Sequence, residues 1–298
     1  MSKLPKLIVI AGTNASGKSG LGVDLAKKYG GEVVSADSRQ VFRGLDLGSG
    51  KITPRETRGV PHHLIDVCEP GEFFSMHDFQ RLACAAIDGI LARGRLPFLV
   101  GGTGLYIASV AEGYVMSDKA PDLAYRQYLE SFETPQLYEM LLKALPDTNV
   151  EPKNRNRVMR LLEKLHAGDD HVPRSQRRYD CLKLGVTWDR ETLRARIDER
   201  LERRLDAGMI DEVKGLMDRG VSLDFLMKLG LEYRYIARYL TGDIPLREDM
   251  VAQLGTAIKQ FAKRQMTWFR RDREIIWLDM TGDPFAQACR EIDRFINP

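Results

Sequence analysis

Eight consecutive residues carry the densest chemistry in the chain: Gly12, Thr13, Asn14, Ala15, Ser16, Gly17, Lys18 and Ser19, reading GTNASGKS. The apolar run Leu7-Ile8-Val9-Ile10-Ala11 precedes them directly and has the length and branching of a buried strand. A strand feeding a glycine-bounded loop that ends in Lys-Ser is the arrangement of a phosphate-binding P-loop. Gly12 and Gly17 let the backbone turn its N–H groups inward around phosphate oxygens, and Lys18 adds a positive charge. Ser19 offers a hydroxyl to Mg²⁺, and a helix from Ser19 to Tyr29 aims its positive end at the anion. A nucleoside triphosphate is the default occupant of such a loop.

The elements around the loop alternate. Glu32 to Ala36 reads as a second strand ending at Asp37-Ser38, and Leu96 to Val100 as a third, stopped by Gly101-Gly102. Between them lie a Gly- and Pro-containing loop with PHHLID (Pro61 to Asp66) and a helix from Ser75 to Arg93. That helix has a capping start at Ser75 and Asp78 and apolar residues at helical spacing. Alternating strands and helices predict an α/β fold, a P-loop NTPase-like parallel sheet flanked by helices. Ligands on such sheets bind at the carboxyl ends of the strands. The P-loop, Asp37-Ser38 and Gly101-Gly102-Thr103 should therefore share one site. Residues 116–180 read as an all-helical insertion (Pro121 to Leu145, then Asn156 to His166) with a loop-like tract from Gly168 to Arg174. Residues 1–115 and 181–298 make the core. Strand character returns at Cys181 to Trp188, a helix capped by Asp189 runs to Gly208, and Glu274 to Leu278 could be an edge strand.

A carboxylate at the tip of the strand beside the P-loop can accept a proton from an incoming nucleophile, cap a helix or serve as an outer ligand of Mg²⁺; Asp37 is open to all three. The third strand end is informative for what it lacks. LPFLVGGTG carries no acidic residue of the kind a motor ATPase places there, and Thr103 turns a hydroxyl to the site instead. Cations cluster twice: Lys153, Arg155, Arg157, Arg160, Lys164, Arg174, Arg177 and Arg178, then Lys259, Lys263, Arg264, Arg270, Arg271 and Arg273 around Trp268 and Phe269. Clustered cations beside aromatics suit RNA phosphates and stacked bases, and a solvated helix face is the alternative. Among the arginines of the Asp189 helix, one could turn inward as a phosphate clamp.

Composition narrows the class. With 298 residues, 43% apolar, 29% charged and net charge +3, the chain is an ordinary globular protein, so any affinity for nucleic acid comes from local clustering. Four dispersed cysteines are read as reduced thiols, and no segment approaches the ~20 apolar residues of a membrane span. A cytoplasmic protein with no membrane partner is the expectation.

Taken together, GTNASGKS, SADSRQVFRGLDLGS (Ser35 to Ser49), PHHLID, LVGGTGLY (Leu99 to Tyr106), NRVMRLLE (Asn156 to Glu163) and KRQMTWFR (Lys263 to Arg270) resemble the tRNA dimethylallyltransferases. The resemblance spans nearly the whole chain. It implies transfer of a dimethylallyl group from dimethylallyl diphosphate to N6 of the adenosine at tRNA position 37, with Mg²⁺ as cofactor and a monomeric enzyme. By resemblance, Asp37 is the general base, and Asp37, Ser38, Arg39 and Gln40 recognise the target base. Thr103 lines the transfer channel, Lys18 and Arg200 act on the diphosphate held by Gly12 to Ser19, and Ser19 holds Mg²⁺. Arg126, Asn156, Arg157, Arg160, Lys263, Arg264, Gln265, Trp268 and Arg270 contact tRNA. Two departures stand out: Ser19 replaces the usual Thr, and the expected Gly-Tyr-Arg reads Glu232-Tyr233-Arg234. The competing readings are a P-loop kinase, with the insertion as a lid over ATP, and an RNA-binding protein that uses a nucleotide only as a switch.

Overall fold

The computed structural model describes residues 4–117, 122–169 and 174–297. In chain order the first part runs β1 (Lys6–Gly12), α1 (Lys18–Lys28), β2 (Glu32–Ala36), α2 (Pro54–Thr57), β3 (His62–His63), α3 (Met76–Ala92), β4 (Pro97–Gly101) and α4 (Gly104–Ala111). There follow β5 (Tyr114–Val115), α5 (Leu123–Glu130), α6 (Thr134–Ala144), α7 (Arg155–His166) and β6 (Arg174–Ser175). The rest is β7 (Asp180–Thr187), α8 (Arg190–Asp206), α9 (Met209–Asp218), α10 (Leu223–Leu229), α11 (Leu231–Leu240), α12 (Arg247–Phe269), β8 (Ile276–Asp279) and α13 (Pro284–Ile296).

Six strands form one parallel sheet in the order β3-β2-β4-β1-β7-β8. β1 is buried on both faces, as its unbroken apolar run requires. Leu7, Val9 and Ala11 pack with Phe79, Ile87 and Val110 on the α3 and α4 side. Ile8 and Ile10 pack with Leu21, Leu25 and Ile292 on the α1 and α13 side. Ala11, Ala36 and Gly101 lie in register, so Gly12, Asp37 and Gly102 leave the sheet at one level. Helices α8 to α12 close around their own core of Ile197, Leu201, Leu226, Tyr233, Met250, Leu254 and Ile258. The expected caps form: Ser75 Oγ accepts from Asp78 N–H (3.1 Å), and Asp189 accepts from the N–H groups of Glu191 (3.0 Å) and Thr192 (2.9 Å).

Tyr114–Gln176 is a compact unit distinct from Met1–Gly113 with Arg177–Pro298. Its helices α5, α6 and α7 enclose Leu129, Leu137, Leu141, Val158, Met159 and Leu162. Arg155 ties α7 to the α5–α6 turn through the carbonyls of Phe132 (2.7 Å) and Glu130 (3.1 Å).

Three expectations need correction. The insertion is not all-helical, because β5 and β6 form an antiparallel ladder at its two ends. Its C-terminal boundary falls at Gln176, earlier than residue 180. Tyr179 is already buried in the core, its hydroxyl donating to Asp88 (2.8 Å), and Arg177 and Arg178 pair with core carboxylates. The PHHLID segment is not purely a loop: His62 and His63 pair with Val33 and Val34 as the sheet's other edge. Within the expected loop from Gly168 to Arg174, residues 170–173 lie outside the described residues.

Lys183 on β7 is buried and surrounded by Glu112, Asp272 (2.8 Å) and Glu274 (2.9 Å), with Arg177 bridging Glu112 (3.0 Å) and Glu274 (2.9 Å). Burial alone would lower the Lys183 pKa, but hydrogen bonds to Asp272, Glu112 and Glu274 outweigh it and raise the ammonium above its ordinary value. Lys183 and then Arg177 hold Glu274 below the ordinary carboxylate value. Glu274 therefore contributes stability above about pH 4.5 that is lost as pH falls through its lowered pKa. Lys183 contributes stability below about pH 10.5 that is lost as pH rises further. Lys183→Met should cost about 2 kcal/mol at pH 7 in urea unfolding, less than the roughly 3–5 kcal/mol of a broken fully buried pair because Glu274 is half exposed. A loss under about 0.5 kcal/mol would show the cluster to be inert.

Candidate active site at the carboxyl ends of the strands

The loop between β1 and α1 turns at Ala15 (φ +60°) and Gly17 (φ +88°), both left-handed, and α1 starts at Lys18. A side chain at position 17 would be strained, so the glycine there is needed for the turn. Distant residues hold the outside of the loop. Trp188, just past β7, donates its indole N–H to Ser16 O (2.9 Å), and Arg196 of α8 donates to Ala15 O (3.0 Å) while stacking over Trp188. Gln265 of α12 accepts from Asn14 N–H (3.0 Å) and donates to Gly102 O (2.9 Å), joining the loop to the end of β4.

Inside the loop, Lys18 Nζ donates to Thr13 O (3.1 Å) and is buried. Burial brings its ammonium down to about 8, with Asp37 opposing the drop and Arg200 adding to it. Arg200 is likewise lowered, by burial first and then by neighbouring Arg204, against the opposing fields of Glu232 and Asp37. Two desolvated cations beside one carboxylate make a site that gains by taking an anion.

Asp37 follows β2. Its Oδ1 accepts from Arg39 N–H (2.9 Å), closing a short turn rather than capping a helix. Thr103 Oγ1 accepts from Ser38 N–H (3.1 Å), and Thr103 N–H donates to Ala36 O (3.2 Å), so the ends of β2 and β4 are stitched together. Gln40 accepts from Ser35 Oγ (3.3 Å) and donates to Gly50 O (3.3 Å). A narrow open cleft brings Lys18, Ser19, Asp37 and Gln40 together with an apolar wall of Val33, Ile52 and Val100. Ser19 and Asp37 both face it. Among the described residues no group of three or more His, Cys, Asp or Glu gathers as a closed metal site. One hydroxyl and one carboxylate suit a Mg²⁺ ion that keeps its waters and binds mainly through substrate phosphate.

The expected RNA contacts divide. Asn156, Arg157 and Arg160 lie on the exposed face of α7, and Lys263, Arg264, Trp268 and Arg270 on the exposed face of α12. Arg271 stands over the Trp268 ring at 5.9 Å. Arg126 pairs with the buried Glu163 (3.3 Å) inside the insertion. Gln265 departs from expectation: it is buried against the P-loop, on the α12 face that also carries Ile258, Ala262 and Phe269. Arg177 and Arg178 stay exposed, but Glu112, Glu274 and Asp88 pair with them and offset their charge on the expected basic surface. Trp188 and Arg196 went unnoticed as loop supports, although Trp188 follows a strand at the same edge of the sheet as the P-loop.

A family model for IPP transferases matches residues 40–272, and one for isopentenyl transferases matches residues 5–69. The chain belongs to this family, that of the tRNA dimethylallyltransferases. It is 42% identical to the tRNA dimethylallyltransferase of Geobacillus thermodenitrificans, over 98% of this chain and 96% of that one. It is 45% identical to tRNA dimethylallyltransferase 2 of Syntrophotalea carbinolica, over 95% and 97%. The crystal structure of the full-length tRNA isopentenylpyrophosphate transferase of Bacillus halodurans matches with a TM-score of 0.74 at 41% identity, over 98% of this chain and 95% of that one. A eukaryotic dimethylallyltransferase acting on tRNA matches with a TM-score of 0.80 at 27% identity, over 98% and 80%.

The lowered Lys18 pKa sets a pH dependence for this tRNA dimethylallyltransferase. Below about 8 the empty loop carries a charged Lys18; above that, binding an anion must first draw a proton onto it. Calorimetry with magnesium diphosphate should show affinity falling above pH 8, approaching tenfold per pH unit, and Lys18→Met should abolish the slope. The same variant should stabilise the unliganded protein by up to roughly 3 kcal/mol, since it no longer buries a charge. A pH-independent affinity in the parent protein would contradict the assignment.

Proposed function

We propose that this chain transfers the dimethylallyl group of dimethylallyl diphosphate to N6 of the adenosine at tRNA position 37. The observation that carries the reading is the buried Lys18 lining, with Asp37, a cleft that has an apolar wall, while the buried Arg200 lies close enough for its charge to act on both. Such a site suits a diphosphate with a short hydrocarbon tail. The end of β4 presents Gly101-Gly102-Thr103, with no acid to activate water against a triphosphate. Family membership supports the same reaction.

In this reaction N6 of the adenine bonds to the allylic carbon, whose bond to the diphosphate oxygen breaks, and the diphosphate leaves with that electron pair. The lone pair of an adenine amino group is delocalised into the ring, so N6 attacks well only as it loses a proton. Asp37 is placed to accept that proton. Loop N–H groups, Lys18 and Arg200 stabilise the charge growing on the leaving oxygens. Ser19 would hold a magnesium ion together with the diphosphate, and the ion would supply further neutralisation of that charge. Thr103 and Gln40 position the base. A stacked base cannot reach the cavity, so it enters flipped out of the anticodon loop. Asn156, Arg157 and Arg160 of the insertion, and Lys263, Arg264, Trp268 and Arg270 of the core, grip the RNA through phosphate contacts and stacking. The insertion, in this reading, is the tRNA-binding domain of a monomeric cytoplasmic enzyme.

The deciding experiment supplies unmodified tRNA with either labelled dimethylallyl diphosphate or γ-labelled ATP. Label should reach tRNA from the prenyl donor alone; transfer only from ATP would make the protein a kinase. Asp37→Asn should lower kcat by 10²–10⁴-fold, the range of a general base, with tRNA affinity within threefold. Near-normal turnover would remove Asp37 from that role. Replacing Arg157 and Arg160 by Ala should weaken tRNA binding and reduce the slope of log K against log salt by about 1 per lost phosphate contact. An unchanged slope would exclude α7 from the RNA interface.

A further inference from the structure

The backbone of residues 46–50, Asp-Leu-Gly-Ser-Gly, is held from two sides by groups outside the set assigned above. On one side the N–H groups of Asp46 (3.0 Å), Leu47 (2.6 Å) and Gly48 (2.8 Å) all donate to the Glu212 carboxylate. The hydroxyl of the fully buried Tyr233 donates to the same carboxylate at 3.2 Å. The Tyr233 ring sits so close to Gly48 that a Cβ there would lie 2.4 Å from it. On the other side Arg204 donates to the carbonyls of Leu47 and Gly48 and is held by Glu232 at 3.3 Å. Glu232 stands where the family pattern led us to expect glycine.

The third carbonyl of the segment carries the consequence. Gly50 O accepts from Arg200 Nη2 (3.2 Å) and from Gln40 Nε2 (3.3 Å), the two side chains proposed above to act on the diphosphate and on the base. Arg196, Arg200 and Arg204 follow one another at i, i+4 and i+8, so they share one face of α8. The outer two grasp backbone carbonyls, Arg196 at the P-loop and Arg204 at residues 47 and 48. The middle one, Arg200, donates to Gly50 O between them and lies within the field of Asp37. A free arginine side chain samples many rotamers, and a fixed carbonyl acceptor removes most of them before the substrate arrives.

We propose that Glu212 and Arg204 are positioning residues of the transfer reaction. From opposite sides they fix residues 46–50 so that the Gly50 carbonyl aims Arg200 and Gln40, and Glu232 holds Arg204 for that task. The proposal rests on Arg200 contacting the diphosphate.

The test is a double-mutant cycle on the full chain. kcat and KM are measured separately for dimethylallyl diphosphate and tRNA in Glu212→Gln and Glu232→Gly, each with Arg200 intact and with Arg200→Ala. With Arg200 intact, Glu212→Gln should raise the KM for the diphosphate about tenfold and Glu232→Gly about threefold, with the KM for tRNA within twofold. In the Arg200→Ala background either change should add less than twofold. An unchanged diphosphate KM, whatever the loss of thermal stability, overturns the proposal. So does an effect that repeats in full without Arg200. If Arg200→Ala itself leaves the diphosphate KM unchanged, the assignment of Arg200 fails and the proposal falls with it. Should Glu212→Gln not fold, the Glu232→Gly arm decides alone, since it loosens the same segment from the other side.

Discussion

Two cations buried beside each other are the constraint on which the rest of this structure depends. Lys18 and Arg200 lose hydration and repel one another, and Asp37 compensates only in part. Such a pair persists only if the surrounding fold forces it. The forcing groups come from across the chain. The sheet brings Gly12, Asp37 and Gly102 to one level, Trp188, Arg196 and Gln265 hold the P-loop from outside, and Gly50 O holds Arg200. Binding energy for the anion is thus stored in the folded state as unrelieved charge. An incoming diphosphate releases it at the place where negative charge grows during transfer.

The same arrangement separates the two halves of the chemistry. In the proposed reaction the leaving group sits at the P-loop, where the carbonyl oxygens of Ala15 and Ser16 are already bonded by Arg196 and Trp188. The proposed place of the nucleophile is the ends of β2 and β4, where Thr103 and Ser38 bond to each other and Asp37 closes its own short turn. Because these strand ends are stitched together, the distance between base and leaving group is set by the sheet and not by mobile side chains. The RNA surfaces require less precision. In the proposed complex, arginines and lysines on exposed helix faces grip phosphates wherever the backbone passes, and specificity falls to the cleft that receives one flipped base.

Much of this was legible in the sequence, for local reasons. The P-loop, the capped helices and the glycine-terminated strands are short-range patterns, and the α/β alternation follows from them. What escaped were mostly groups whose partners lie far away in the chain, from 65 residues for Arg177 and Glu112 to 251 for Gln265 and Asn14. Gln265 sits in KRQMTWFR among cations and was read as an RNA contact. Its phase with Ile258, Ala262 and Phe269 puts it on the buried face of α12, and that spacing was available in the sequence. Arg177 and Arg178 counted as basic surface because their carboxylate partners, Glu112, Glu274 and Asp88, are far off in sequence. The one-sided edge strand at His62-His63 is too short for any periodicity to reveal. Glu212 carried no signal at all: an acid on an amphipathic helix looks like solvent-facing charge until three distant N–H groups are found converging on it.

The central claim is that the P-loop holds a leaving group while the acceptor base arrives from the Asp37 side. The most direct measurement is a crystal structure of this protein with an unreactive thiolo analogue of dimethylallyl diphosphate and an anticodon stem-loop. The expected result places the diphosphate within the Gly12–Ser19 loop in contact with Lys18 and Arg200, with N6 of a flipped adenine about 3 Å from Asp37, a hydrogen-bond distance. A target base that stays stacked in the RNA, or a diphosphate bound away from Lys18, would contradict it.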